Sequence, residues 1–159
     1  MNEDDLRIVT DIARDVRIAM ITSGNPDGKL TSHPMTTQQV DFDGTAWFFV
    51  SKDADLVRNI AHDNQVNIAY SGSGSWLSLS GTGLVVDDDE RKKELWNELV
   101  EAWFPDGSDD PNVVLLKVNA DSAEYWSSPG GKPRALFEMA KARLTGKEPN
   151  PGHNDTVTL

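Results

Sequence analysis

Apolar and polar positions follow two different periods along this chain, and each change of period marks an element. Leu6, Val9, Ile12 and Ala13 recur at helical spacing behind the polar opening Asn2-Glu3-Asp4-Asp5. This predicts a helix capped by Asn2, with acids at its positive end, closing near Arg14-Asp15. The pattern then turns to strands. Val16 to Ser23 predicts the first, Asn25-Pro26-Asp27-Gly28 a turn, and Lys29 to Val40 a long second strand interrupted at Pro34. Asp43-Gly44 marks a hairpin turn before Thr45 to Ser51, whose apolar run from Ala46 to Val50 reads as a buried strand. Ala54 to His62 predicts a short helix with Leu56, Val57, Ile60 and Ala61 inward, and Val66 to Tyr70 another strand.

Trp76 to Val86 alternates large and small residues and carries Gly81 and Gly83, the pattern of a strand that bends sharply or meets another backbone closely. Asp87-Asp88-Asp89-Glu90 opens a helix expected to run to Phe104, with Leu95, Trp96, Leu99, Val100 and Trp103 at helical spacing. Beyond an acidic loop from Pro105 to Pro111, Val113 to Val118 and Ala123 to Trp126 supply the last one or two strands. Pro133 to Leu144 predicts a final helix that starts on its proline. No repeat or linker divides the chain, so the expectation is a single domain over residues 1–146 and a polar C-terminal tail over 147–159. Strands joined mostly by hairpins, with short helices between them, predict a mainly β, α+β fold: a six-stranded antiparallel split β-barrel with flanking short helices. No Gly-x-Gly-x-x-Gly follows a strand and no Walker-type loop is present, which argues against the common dinucleotide and nucleoside-triphosphate folds.

Composition narrows the function. With 26 acidic against 15 basic residues in 159, the formal charge of −11 opposes nucleic acid and anionic lipid, so neither is an expected partner. The same field opposes a phosphorylated cofactor unless cations gather locally, which directs attention to Lys52 and Arg58. The apolar runs are too short to span a bilayer, the N-terminus lacks a basic signal region, and there is no cysteine. A cytoplasmic location is the expectation, and disulfides and thiolate chemistry are excluded.

Candidate chemistry gathers in two stretches, Ser32-His33-Pro34-Met35-Thr36 and Trp47-Phe48-Phe49-Val50-Ser51-Lys52. Pro34 removes a ladder hydrogen bond and belongs at an edge or bulge, where backbone groups can face a ligand. Ser51-Lys52 ends a strand where a helix begins, a plausible anion cradle, although Lys52 taken alone reads most simply as a solvated strand end. Asp53 and Asp55 compete for the same positive helix end, and Arg58 is either a second phosphate partner or a surface charge. His33, His62 and His153 form no zinc-ligand pattern, and Ser78 and Ser80 sit in no nucleophile elbow. The acids from Asp106 to Asp110 lack the liganding period of a calcium loop. Of five tryptophans, Trp47, Trp96 and Trp103 fit packing positions, while Trp76 and Trp126 are better interface candidates.

At these residues the chain resembles the pyridoxamine-5′-phosphate-oxidase-like FMN-binding split barrels, in the general stress protein 26 branch. The resemblance rests on Gly28 through Met35, Trp47 to Lys52, Ser80-Gly81-Thr82-Gly83, Ala102-Trp103-Phe104-Pro105, Asp109-Asp110-Pro111 and Ala123-Glu124-Tyr125-Trp126. It implies a homodimer with FMN at the subunit interface and redox chemistry on a small molecule not yet identified. His33, Pro34, Met35 and Thr36 would line the flavin, Phe49, Val50, Ser51 and Lys52 would hold ribityl and phosphate, and Trp126, with Trp96 or Trp103, would come from the partner or the rim. The family commonly has Arg where this chain has His33, and an imidazole cannot supply Arg's permanent bidentate contact. No Arg-x-His follows Trp126, so pyridoxamine-phosphate oxidation itself is not implied. A noncatalytic flavin or haem carrier or stress sensor, and a deazaflavin-dependent reductase, are the alternatives on the same barrel.

Overall fold

A computed structural model describes residues 3–38, 42–127 and 153–158. The described elements are α1 (Glu3–Asp15), β1 (Ile18–Gly24), β2 (Leu30–Thr36), β3 (Thr45–Ser51), α2 (Asp55–His62), β4 (Gln65–Ser71), β5 (Ser75–Val86), α3 (Asp89–Leu95), α4 (Glu98–Trp103), β6 (Val113–Ser127) and β7 (His153–Thr158). Six antiparallel strands in the order β2-β1-β4-β5-β6-β3 curl into a half-barrel. Its two ends, β2 and β3, approach each other without a ladder and form the seam of the split.

The curl follows from one position. Between Ser80 and Gly81 the register of β5 on β6 shifts, and a Cβ on Gly81 would meet the Asn119 carbonyl oxygen at 2.1 Å and the Ala120 Cα at 2.8 Å. Only glycine lets the two backbones come this close. The glycine-bearing pattern expected to bend the strand does so at Gly81.

Two apolar clusters use opposite faces of the β3–β6 pair. Phe48, Leu116 and Val114 join Val9 and Ile12 of α1 in the barrel interior, with Ile21, Ile68, Leu79 and Tyr125. Phe49, Val113 and Leu115 face the other way, under Leu95 and Val100 of α3 and α4. Burial on both faces explains why β3 reads as a continuous apolar run instead of an alternating one.

The expected helix from Asp87 to Phe104 is two helices. Trp96 is extended (φ −63°, ψ 134°) and Asn97 caps α4, its Oδ1 accepting from the Leu99 and Val100 amides at 3.0 and 3.2 Å. A side chain that satisfies two otherwise orphaned amides starts a helix more effectively than apolar spacing continues one. The two final strand segments form one strand, β6, whose first half pairs with β3 and whose second half pairs with β7. Residues 153–158 of the expected tail therefore add a strand. Asn2, the end of the second strand at residues 39–40, and the helix expected over Pro133 to Leu144 lie outside the described residues.

Lys92 is buried in α3, yet its ammonium is held. Nζ donates to the Val113 and Asp110 carbonyls at 3.1 and 3.4 Å and pairs with Asp89 at 3.1 Å. It thereby ties α3 to the acidic loop, as does the Lys93–Asp109 pair at 3.3 Å.

Candidate functional site

The seam between β2 and β3 holds a cavity of about 420 Å³. Consecutive residues Pro34, Met35 and Thr36 of β2 line it, so it runs along the strand's free edge and not over one face. Phe49 of β3 faces them, Ile18 of β1 closes one end, and Val100, Trp103 and Phe104 form a roof from α4. Pro34 is tolerated because the N–H it lacks would have belonged to an edge strand. Met35 packs against the barrel core, where an unbranched thioether adapts to an irregular wall. Phe49 is fixed by an edge-on contact with Trp96, ring centroids 5.3 Å apart.

The lining is almost wholly apolar. Its polar groups are the Thr36 hydroxyl and Gln38, whose Oε1 accepts from Asn97 Nδ2 at 2.9 Å. No described lining residue carries a titratable side chain. A cavity of this size and character suits a flat aromatic group and positions it without supplying an acid or a base.

The model of the family described as pyridoxamine 5′-phosphate oxidase like matches residues 4–150. The chain belongs to the pyridoxamine 5′-phosphate oxidase-like family. Protein bli-3 of Neurospora crassa is 27% identical over 139 residues, covering 80% of this chain and 66% of that protein. The chain thus spans just under two thirds of that curated relative's length. A crystal structure of a protein provisionally named general stress protein 26, from Jannaschia sp. CCS1, matches with 34% identity and a TM-score of 0.78, over 99% of this chain and 100% of that one. A general stress FMN/FAD binding protein from Xanthomonas citri matches with 30% identity and a TM-score of 0.68, over 80% and 90% of the two chains.

Of the residues that the family resemblance singles out, Pro34, Met35, Thr36, Phe49 and Trp103 meet at one cavity. The others do not line it. His33 points to the same side of β2 as Met35, half-buried, with a buried Nε2 that has no hydrogen-bond partner among the described residues. Val50 is buried in the barrel interior. Ser51 ends β3, its carbonyl accepting from the Ala54 amide at 3.0 Å. Lys52 Nζ pairs with Asp87 Oδ2 at 2.8 Å, and this bond, reinforced by the ammonium's charge, holds the Asp87 carboxyl below its ordinary range. Arg58 donates to the Asp53 carbonyl and pairs with Asp55 one turn back in α2. Trp126 lies opposite Trp76, on strands separated from β1 by β4.

In this family member the roof was the part that apolar spacing did not reveal. Trp103, which the spacing assigned to helix packing, is 69% exposed while lining the cavity. The motif Ala102-Trp103-Phe104-Pro105 was its only signal, and Gln38 and Ile18 had none. Asn59 was also missed: buried in α2, it donates to the Ser23 and Thr31 hydroxyls at 3.1 and 3.2 Å and locks the helix onto β1 and β2. Among the described residues no helix is long and apolar enough to cross a membrane.

Proposed function

We propose that this chain binds FMN and acts as a flavin-dependent oxidoreductase on a small molecule in the cytoplasm, with a second copy of the chain completing the site. The observation that carries the reading is the apolar cavity at the seam, where five of the residues that the family resemblance singles out meet. The Xanthomonas relative's name, FMN/FAD binding protein, supports the same cofactor class. When bound, FMN supplies hydride or electron transfer through its isoalloxazine ring.

The residues fit that group. Pro34, Met35 and Phe49 would enclose the ring and exclude water from it, while Thr36 and the free edge of β2 offer hydrogen bonds at the ring's rim. Among the described residues His33 Nε2 is buried without a partner, and an unmade buried hydrogen bond costs roughly 1–3 kcal/mol. His33 does not line the cavity, but a cofactor polar group that reached past the cavity wall to this nitrogen would recover that cost. Lys52 would hold the phosphate, because its pair with Asp87 is solvent-exposed, weak and screened, and a phosphate of higher charge displaces a carboxylate from it. Arg58 would remain tied to Asp55 unless the phosphate reaches it.

Lys52→Ala is expected to weaken FMN about tenfold and leave riboflavin unchanged, since the lost bond is charge-assisted and only the phosphate makes it. Calorimetric titration of both ligands checks this, and equal losses would remove Lys52 from the site. In the wild type, FMN should draw Lys52 away from Asp87. The cause of the carboxyl's depression is then lost, so its titration moves up toward the ordinary range. Carbon NMR of the Asp87 carboxyl with and without FMN reads that shift.

The outer sheet face bears Ile18 at 57% exposure, Met20 at 39% and Trp76 at 45%, with Trp126 beside Trp76. Large apolar groups on one face, one of them in the cavity wall, favour a second copy covering both. Light scattering is expected to give twice the 17.5 kDa chain mass. A flavin-loaded particle of single-chain mass would contradict the dimer.

A further inference from the structure

Behind the wall of the seam cavity lies a second hollow, a cleft of about 430 Å³ where the α1–β1 link faces the break between α3 and α4. Two contacts divide the compartments. The Phe49 ring lines the cavity and meets edge-on the Trp96 ring, which lines the cleft. Gln38 lines both, held by Asn97.

The cleft differs in character from its neighbour. Leu95, Trp96 and Leu99 give it an apolar floor, and Leu99 is 47% exposed. Arg17 and Glu98 bring opposite charges to it from different elements. Neither side chain makes an ion pair or hydrogen bond with any other described residue, so they do not pair with each other although they share one opening. The remaining acid in the lining, Glu94, is neutralised by Arg91 at 2.9 Å.

We propose that this cleft binds a small zwitterion with an apolar side chain, of the amino-acid class. The planar fork of Arg17 takes the carboxylate, Glu98 takes the ammonium, and the side chain rests on Leu95, Trp96 and Leu99. A simple anion at Arg17 would face Glu98 within a chain of net charge −11, and a simple cation at Glu98 would face Arg17. Only a ligand carrying both charges satisfies both groups. Because the two residues are exposed, each contact contributes weakly, up to about fivefold in affinity. The cleft occupant lies one layer of side chains from the cavity; on the flavin reading, and resting on it, the same class becomes the substrate class.

The test titrates the full chain, with and without FMN, with L-phenylalanine, phenylacetate and phenethylamine, following the Trp96 indole N–H by NMR. L-Phenylalanine is expected to shift that resonance saturably, with each charge-deleted analogue about fivefold weaker. Arg17→Met should lower L-phenylalanine to the level of phenethylamine, and Glu98→Gln to that of phenylacetate. Both substitutions are on the surface and spare the fold. Three probes that bind alike, or none that moves Trp96 by tens of millimolar, would overturn the cleft's assignment. The titration without FMN reads the cleft alone, so protein that takes L-phenylalanine but no FMN overturns only the flavin reading, and the converse only the cleft.

Discussion

Gly81→Ala is expected to destabilise the fold by about 3 kcal/mol, a loss of ~10 °C in Tm for a chain of this size. The added methyl would sit 2.1 Å from the Asn119 carbonyl oxygen and 2.8 Å from the Ala120 Cα. Both obstacles are backbone, so relief requires β5 and β6 to move apart at the point where their register shifts. Removing glycine from the unfolded chain returns only about 0.4–1 kcal/mol, which the clash outweighs. Gly83→Ala is the control. Its nearest neighbours are the tips of Ile60, Leu116 and Val66 at 3.2 to 3.4 Å, which can yield by small rotations, so its cost should stay near 1 kcal/mol. Thermal and denaturant unfolding of the two variants measure the difference, and equal costs would show that the curl does not depend on the close approach at Gly81.

That bend was legible because it needs a residue type, and the residue type is visible. β3 was legible to the residue for a similar reason: a strand buried on both faces leaves an unbroken apolar run. The single helix expected over Asp87 to Phe104 failed where two signals conflicted. Apolar spacing runs through Trp96 and Asn97, but an Asn before Glu98 is also a helix-start signal, and the capping bonds prevailed. β7 left almost no trace, because His153-Asn154-Asp155-Thr156-Val157-Thr158 has one apolar residue and pairs with β6 through backbone groups that every sequence carries.

The site divides along the same line. Pro34 to Thr36 and Phe49 announced themselves through an interrupted edge strand and an aromatic run. Asp55 does stand in the first turn of α2, and its pairing with Arg58 was not read from the sequence. Asp87, the partner of Lys52, lies 35 residues away and becomes its neighbour only through the barrel's closure. Ile18 and Gln38 likewise acquire a role only once β1 and the exit of β2 converge on the seam.

Thr36→Trp is expected to lower FMN affinity about a hundredfold while leaving the melting temperature nearly unchanged. Thr36 lies on the outward side of the edge strand, opposite Ile18, and borders the cavity without belonging to the buried core. An indole there can turn into the space between Pro34, Phe49 and Trp103 and occupy the room proposed for the flavin ring. The core behind it is untouched, so a folded protein with a blocked site is the expected product. Thr36→Val separates volume from hydrogen bonding: it keeps the size of the side chain and removes the hydroxyl, and its loss should be no more than about tenfold. Riboflavin decides which part of the cofactor the cavity holds. If the ring is there, Thr36→Trp weakens riboflavin and FMN by the same factor, whereas Lys52→Ala weakens FMN alone. Wild-type affinity for FMN in a folded Thr36→Trp variant would place the ring elsewhere and overturn the reading built on the seam.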